Sequence, residues 1–191
     1  DNGTVIVTGS IDLTGTKLPE LPRFGMRMEL HQPYENLTYY GRGPFENYID
    51  RYSGAFIGRY EDKVENQFYW YIRPQETGNK TDVRWLTLLD SGGLGVKITG
   101  LQPISFSALH FSPEDLDPGL TRKLQHTIDI VPQKNIFLHV DLKQRGLGGD
   151  NSWGMYPHNE YRLLDKKYTY SYMIELVEKG SDKNDYLNSR K

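Results

Sequence analysis

Hydrophobic and polar positions alternate with a period of two along almost the whole chain. Val5 and Val7 alternate with Thr4, Ile6 and Thr8, and Met26, Met28 and Leu30 with Arg27, Glu29 and His31. Ile104, Phe106 and Ala108 alternate with Ser105 and Ser107. Ile136, Leu138, Val140 and Leu142 alternate with Phe137, His139, Asp141 and Lys143. Tyr168, Tyr170, Tyr172, Ile174 and Leu176 alternate with Thr169, Ser171, Met173 and Glu175. This period places successive side chains on opposite faces of a strand. Shorter runs predict further strands at residues 37–40, 56–60, 83–89, 95–99 and 125–131.

Clusters of Gly, Pro, Asn and Asp separate these runs, as turns require. A short helix is predicted at Ser112-Pro113-Glu114-Asp115-Leu116, with Ser112 as N-cap, Pro113 in the first helical position and two acids at the positive end. No long amphipathic stretch and no internal repeat occurs. Many antiparallel strands with one-sided faces predict an all-β fold, a large antiparallel β-sandwich. One domain is expected over residues 1–178, and the charged stretch 179–191 is expected to be a frayed tail.

Composition narrows the function. The 191 residues carry 23 basic and 25 acidic side chains, a net charge of −2, so no strong field gathers nucleic acid or an anionic membrane. Cysteine is absent, which excludes disulfides and thiolate metal sites and leaves the compartment open, cytoplasmic or periplasmic. No apolar segment approaches the length needed for a helical membrane span. The start, Asp1-Asn2-Gly3-Thr4, has neither an initiator Met nor a signal pattern, so the chain is expected to be cut from something longer, by engineering or by processing. Fourteen Tyr, seven Phe and three Trp suit both strands and carbohydrate surfaces.

The most suggestive local feature is Gly146-Leu147-Gly148-Gly149-Asp150-Asn151-Ser152-Trp153, a bulky aromatic after a glycine-rich polar turn. Glycine permits close backbone approach, and Asp150, Asn151 and Ser152 are turn formers that could aim the ring. An indole presented this way offers a flat apolar face to the C–H face of a sugar. The competing reading is a Trp that plugs the edge of the core.

Four segments together resemble one family. They are Leu21-Pro22-Arg23-Phe24-Gly25-Met26, Tyr40-Gly41-Arg42-Gly43-Pro44-Phe45-Glu46-Asn47-Tyr48-Ile49-Asp50-Arg51, Pro74-Gln75-Glu76-Thr77-Gly78-Asn79-Lys80-Thr81-Asp82-Val83-Arg84, and Gly148-Gly149-Asp150-Asn151-Ser152-Trp153. Their order and spacing resemble the C-terminal domain, or small chain, of the large family 2 β-galactosidases, over residues 19–177. The resemblance implies a galactose-mutarotase-like supersandwich within a retaining glycosidase. Such enzymes use two carboxylates roughly 5 Å apart. In this family both are glutamates on a (β/α)₈ barrel, which needs about 250 residues of its own. The catalytic pair and the Mg²⁺ ligands that accompany it are therefore expected outside this chain, with no catalytic residue, metal site or cofactor here. The resemblance also implies that Trp153 forms a wall of the sugar site, supported by the turn Asp150, Asn151 and Ser152. The implied partners are the barrel and other domains of the same polypeptide and a galactoside such as lactose, in a homo-oligomeric full enzyme.

Other residues admit two readings. In Arg42–Tyr48 a rigid turn is favoured, with Glu46 paired to Arg51 or Arg42. Gln75, Glu76, Asn79 and Arg84 could bind sugar hydroxyls on a concave face or brace strand ends through charge-assisted bonds. His110, His126 and His139 could suggest a metal site or an acid/base, with His126–Glu76 a conceivable pair, but read first as polar residues satisfied by strand-end bonds. Tyr69, Trp70 and Tyr71 are candidates for a surface that docks on the rest of the enzyme, or for an ordinary buried strand. The leading expectation is an accessory domain, inactive by itself. A free-standing carbohydrate-binding domain and an aldose epimerase or mutarotase are the alternatives.

Overall fold

The computed structural model describes residues 3–31, 33–117, 119 and 125–178. The expected tail, residues 179–191, lies outside the described residues. The strands are β1 (Val5–Asp12), β2 (Arg23–Leu30), β3 (Asn36–Gly43), β4 (Phe56–Lys63), β5 (Lys80–Leu89), β6 (Gly95–Leu109), β7 (Ile136–Gln144) and β8 (Lys167–Val177). All pairings are antiparallel, as the alternation implies. Helix α1 (Pro113–Leu116) sits where predicted, and Ser112 and Asp115 cap it reciprocally.

The sheet forks at its longest strand. The order β1-β8-β6-β5-β3-β4 forms the main path. Gly95–Gly100 of β6 pairs with β8, whereas Ser105–Leu109 pairs with β7, which carries β2 on its far edge. The runs at 95–99 and 104–108 are thus one strand serving two neighbours. The β1–β8 arm and the β2–β7 arm then face each other. The Tyr170 hydroxyl donates to the Val140 carbonyl at 3.0 Å, and the Phe24 and Tyr170 rings meet edge-on at 5.5 Å. This apposition makes the sandwich. Its core includes Tyr39, Leu86, Phe106, Leu138, Val140 and Tyr172. Each such side chain contributes roughly 1.5–3 kcal/mol through removal from water.

One expected strand is absent. Residues 125–131 contain a short 3₁₀ turn, Thr127–Asp129, instead. The Asp129 carboxylate accepts the His126 N–H at 2.7 Å, so a side chain captures a backbone donor that a strand would need. Ile128 and Val131 are left exposed, because their alternation has no sheet to pack on.

Candidate functional site

The segment that follows β3 ties two loops together. Glu46 is the first knot, with a side chain only 9% exposed. Its Oε1 accepts from Arg51 Nη2 at 2.7 Å and from the Tyr71 hydroxyl. Its Oε2 accepts from Thr77 Oγ1 at 3.0 Å and the Gly78 N–H at 2.8 Å. Burial pulls the Glu46 carboxyl upward, but the bonds from Tyr71, Gly78 and Thr77 outweigh it and hold the group below its ordinary value. Asn47 is the second knot: its Oδ1 accepts from the Thr81 N–H at 2.9 Å and the Thr81 hydroxyl at 2.5 Å. The Asn79 amide donates back to the Asn47 carbonyl at 2.8 Å. Asp50 is the third, and its Oδ2 accepts the Gly148 N–H at 2.7 Å. Three segments distant in sequence therefore converge at one end of the sheet.

The glycine-rich loop fits this anchor closely. A Cβ at Gly146 would come within 2.6 Å of the Asp50 carboxylate. The Gly146 N–H donates to the Tyr161 carbonyl at 2.7 Å. Farther along, Asn151 Oδ1 accepts the Trp153 N–H at 2.8 Å, and Asp150 Oδ1 pairs with His158 Nε2 at 2.8 Å. Both bonds act locally within the loop. Ser152 makes no such bond among the described residues. Trp153 is 92% exposed, so it does not plug a core edge. Its indole is exposed to solvent; Tyr156, also exposed, has the Arg162 guanidinium over its ring at 4.8 Å.

The remaining sequence candidates scatter. Gln75 is exposed, Asn79 is buried as a brace for Asn47, and Arg84 donates to the Asp82 carbonyl while lying over the Tyr40 ring. Glu76 faces Arg23 at 3.6 Å. No hydrogen bond or ion pair joins these four to residues 150–153 among the described residues. The conceivable His126–Glu76 pair is not formed, because His126 turns to Asp129 at 3.8 Å, three positions along its own turn. His110 bonds Glu35 and the Asn135 carbonyl, and His139 bonds Ser107. Glu46 pairs with Arg51, whereas Arg42 turns away to Asp82 at 2.5 Å. Among the described residues no group of three or more His, Cys, Asp or Glu side chains is placed to hold a metal ion.

The anchoring role of Asp50 and the pairing of Tyr71 with Glu46 emerge only from the folded structure. An acid inside a Gly- and Asn-rich turn was the available signal for Asp50. Tyr69 and Trp70 are exposed, and no strand runs through residues 67–71. With Phe45, Glu46, Arg51 and Tyr52, the rings of Tyr69 and Tyr71 border an open groove of about 640 Å³. Trp70 packs edge-on against Phe68 at 4.9 Å yet keeps 60% of its surface in solvent.

Comparison with known proteins gives one consistent answer. Residues 2–174 match the family described as Beta galactosidase small chain. The chain is 38% identical over 159 residues to a beta-galactosidase of Priestia megaterium, covering 83% of this chain and 15% of that protein. It is 36% identical over 175 residues to a beta-galactosidase of Streptococcus thermophilus, covering 91% and 16%. A beta-galactosidase of Staphylococcus xylosus is 31% identical over 176 residues, covering 92% and 17%. The chain thus spans about a sixth of the length of these relatives.

Proposed function

Because this chain belongs to the beta-galactosidase small-chain family, we propose that it is the accessory module of a larger retaining β-galactosidase and completes the mouth of that enzyme's sugar site. The cleaving carboxylates and their Mg²⁺ belong to a barrel elsewhere in the polypeptide, and the substrate is a terminal β-D-galactoside such as lactose. The observation that carries this reading is Trp153, 92% exposed on a loop held by Asp50. An aromatic face costs little conformational entropy when its backbone is already anchored, and it gains contact only when a sugar ring covers it. Asp150 and Asn151 keep that anchor in shape. The module contributes position, and position lowers a barrier without any proton moving through the positioning group.

The groove bordered by Phe45, Tyr52, Tyr69 and Tyr71 is the companion surface on which the rest of the enzyme docks. Apolar rings in this density cost solvation unless covered.

The test is Trp153→Ala in the full-length enzyme, assayed on lactose. KM is expected to rise roughly tenfold or more, with a smaller change in kcat. An unchanged KM with kcat collapsed would defeat the reading. The isolated chain is expected to leave a chromogenic galactoside intact.

A further inference from the structure

A second cavity opens on the β6–β7 part of the sheet and shares no residue with the Trp153 loop. It holds about 200 Å³, and its lining includes the polar Glu76, Ser107, Asp117 and His139 and the apolar Leu109, Phe111 and Phe137. The size suits a molecule smaller than the drug-sized ligands that fill pockets of roughly 300–1,000 Å³. The lining mixes polar groups with rings and aliphatic side chains.

Arg23 braces the polar lining residues Glu76 and His139. Its Nη2 lies 3.0 Å from Asp141 Oδ2 and donates to Gln144 Oε1 at 2.8 Å, and its Nη1 lies 3.6 Å from Glu76 Oε2. Asp141 is fully interior, its side chain 1% exposed. Glycine at position 25 makes this possible, since a Cβ there would meet Asp141 Oδ1 at 1.9 Å. Arg23 Nη1 also lies 3.4 Å from His139 Nδ1. A guanidinium can only donate, so that nitrogen accepts and the imidazole proton resides on Nε2. Burial and the nearby Arg23 and Arg27 charges push His139 down to about 4, which keeps the ring neutral.

The charges do not balance. Two carboxylates face one guanidinium, and Glu76 Oε1 is buried without a hydrogen-bond partner. Buried acceptors without donors cost free energy, so the site calls for a ligand that brings hydrogen-bond donors. An anion is disfavoured by the Glu76 and Asp117 carboxylates of the lining, and no group of three or more metal-ligating side chains is present among the described residues. A molecule with several hydroxyls and an apolar C–H face suits both kinds of lining, donating to Glu76, accepting from the His139 N–H and covering the Phe111 and Phe137 rings.

We propose that this cavity binds a small uncharged polyhydroxy ring compound, a monosaccharide or cyclitol. The test follows amide NMR signals of the 191-residue chain during titration with D-galactose, D-glucose and myo-inositol. A saturable shift centred on Thr77, Ser107 and His139 with at least one of them, with Kd on the order of millimolar, is the expected result. Binding by the sugars alone identifies the monosaccharide, and binding by myo-inositol alone the cyclitol. Glu76→Gln and, independently, His139→Phe should each weaken it about tenfold, with wild-type spectra elsewhere. D-glucuronate should bind more weakly than D-glucose, because it brings a further negative charge. Three results would each overturn the proposal: no shift up to about 100 mM of any ligand, shifts confined to residues 150–156, or glucuronate binding as tightly as glucose. The wild-type titration decides the matter even where a variant does not fold.

Discussion

Replacing Glu46 by Gln changes one atom in shape and much in chemistry. All four groups at the wild-type carboxylate are donors: the Arg51 guanidinium, the Tyr71 and Thr77 hydroxyls and the Gly78 N–H. An amide presents one oxygen and one NH₂. If the NH₂ faces Gly78, two donors confront each other, because a backbone N–H cannot reverse. If it faces Arg51, the guanidinium must swing into solvent and only the Tyr71 hydroxyl can turn round to accept. The second arrangement is cheaper, and it still removes a charge from bonds worth about 1.5–3 kcal/mol each when charge-assisted. Part of that loss is recovered by Arg51 hydration, since its side chain is 55% exposed. We expect about 2–3 kcal/mol of lost stability at pH 7, measured by urea unfolding followed by circular dichroism. The corresponding fall in Tm is roughly 4–12 °C for a chain of this size. The pH dependence supplies an internal check. The folded-state pKa of Glu46 lies below the ordinary 4.5, so its stabilisation is fully present above that value and is lost as pH falls through the depressed pKa. The gap between wild type and variant must therefore narrow below pH 4.5. A loss under about 0.5 kcal/mol at pH 7, or a gap that stays constant into acid, would refute the reasoning.

Three further outcomes are expected. Asp50→Ala removes the acceptor of the Gly148 N–H but leaves that amide near water, so stability should fall by no more than about 1 kcal/mol while hydrogen exchange at Gly148 accelerates roughly tenfold; unchanged exchange would remove Asp50 as the anchor. Gly25→Ala brings a Cβ within 2.6 Å of the Asp141 backbone, which cannot move aside without shifting β7, so chemical denaturation should show about 2–4 kcal/mol of destabilisation. Burial lowers the Lys80 ammonium to about 8 from 10.5, only partly opposed by Glu46 and Asp62. The folded state then releases this proton earlier than the unfolded chain, so stability gains a rising component between about pH 8 and 10.5. Lys80→Met should abolish that component, and a pH profile parallel to wild type would count against it.

The strands were legible because alternation is a local property: a period of two forces side chains to opposite faces wherever the strand lies. Tyr168, Tyr170 and Tyr172 thus read as inward-facing, and they are buried. Ser112 and Pro113 announced α1 for an equally local reason, since capping needs only the next few residues. The four motifs pointed to the family, and the match to residues 2–174 bears that out. Alternation could not tell which strand pairs with which, so the fork of β6 between β8 and β7 was invisible, as was the apposition of the two arms. It also misjudged residues 125–131, where a carboxylate captured the backbone donor. Asp141 read as an outward polar position on β7, yet it is interior, because Arg23 arrives from β2 to receive it. Glu46, Asn47 and Asp50 could be called turn residues from sequence, but that they bind loops 74–81 and 146–153 to one point depended on tertiary folding. Local propensity is written in neighbouring residues. Which loops meet, and which charges become buried, depends on surfaces brought together from far along the chain, and no short window of sequence contains them.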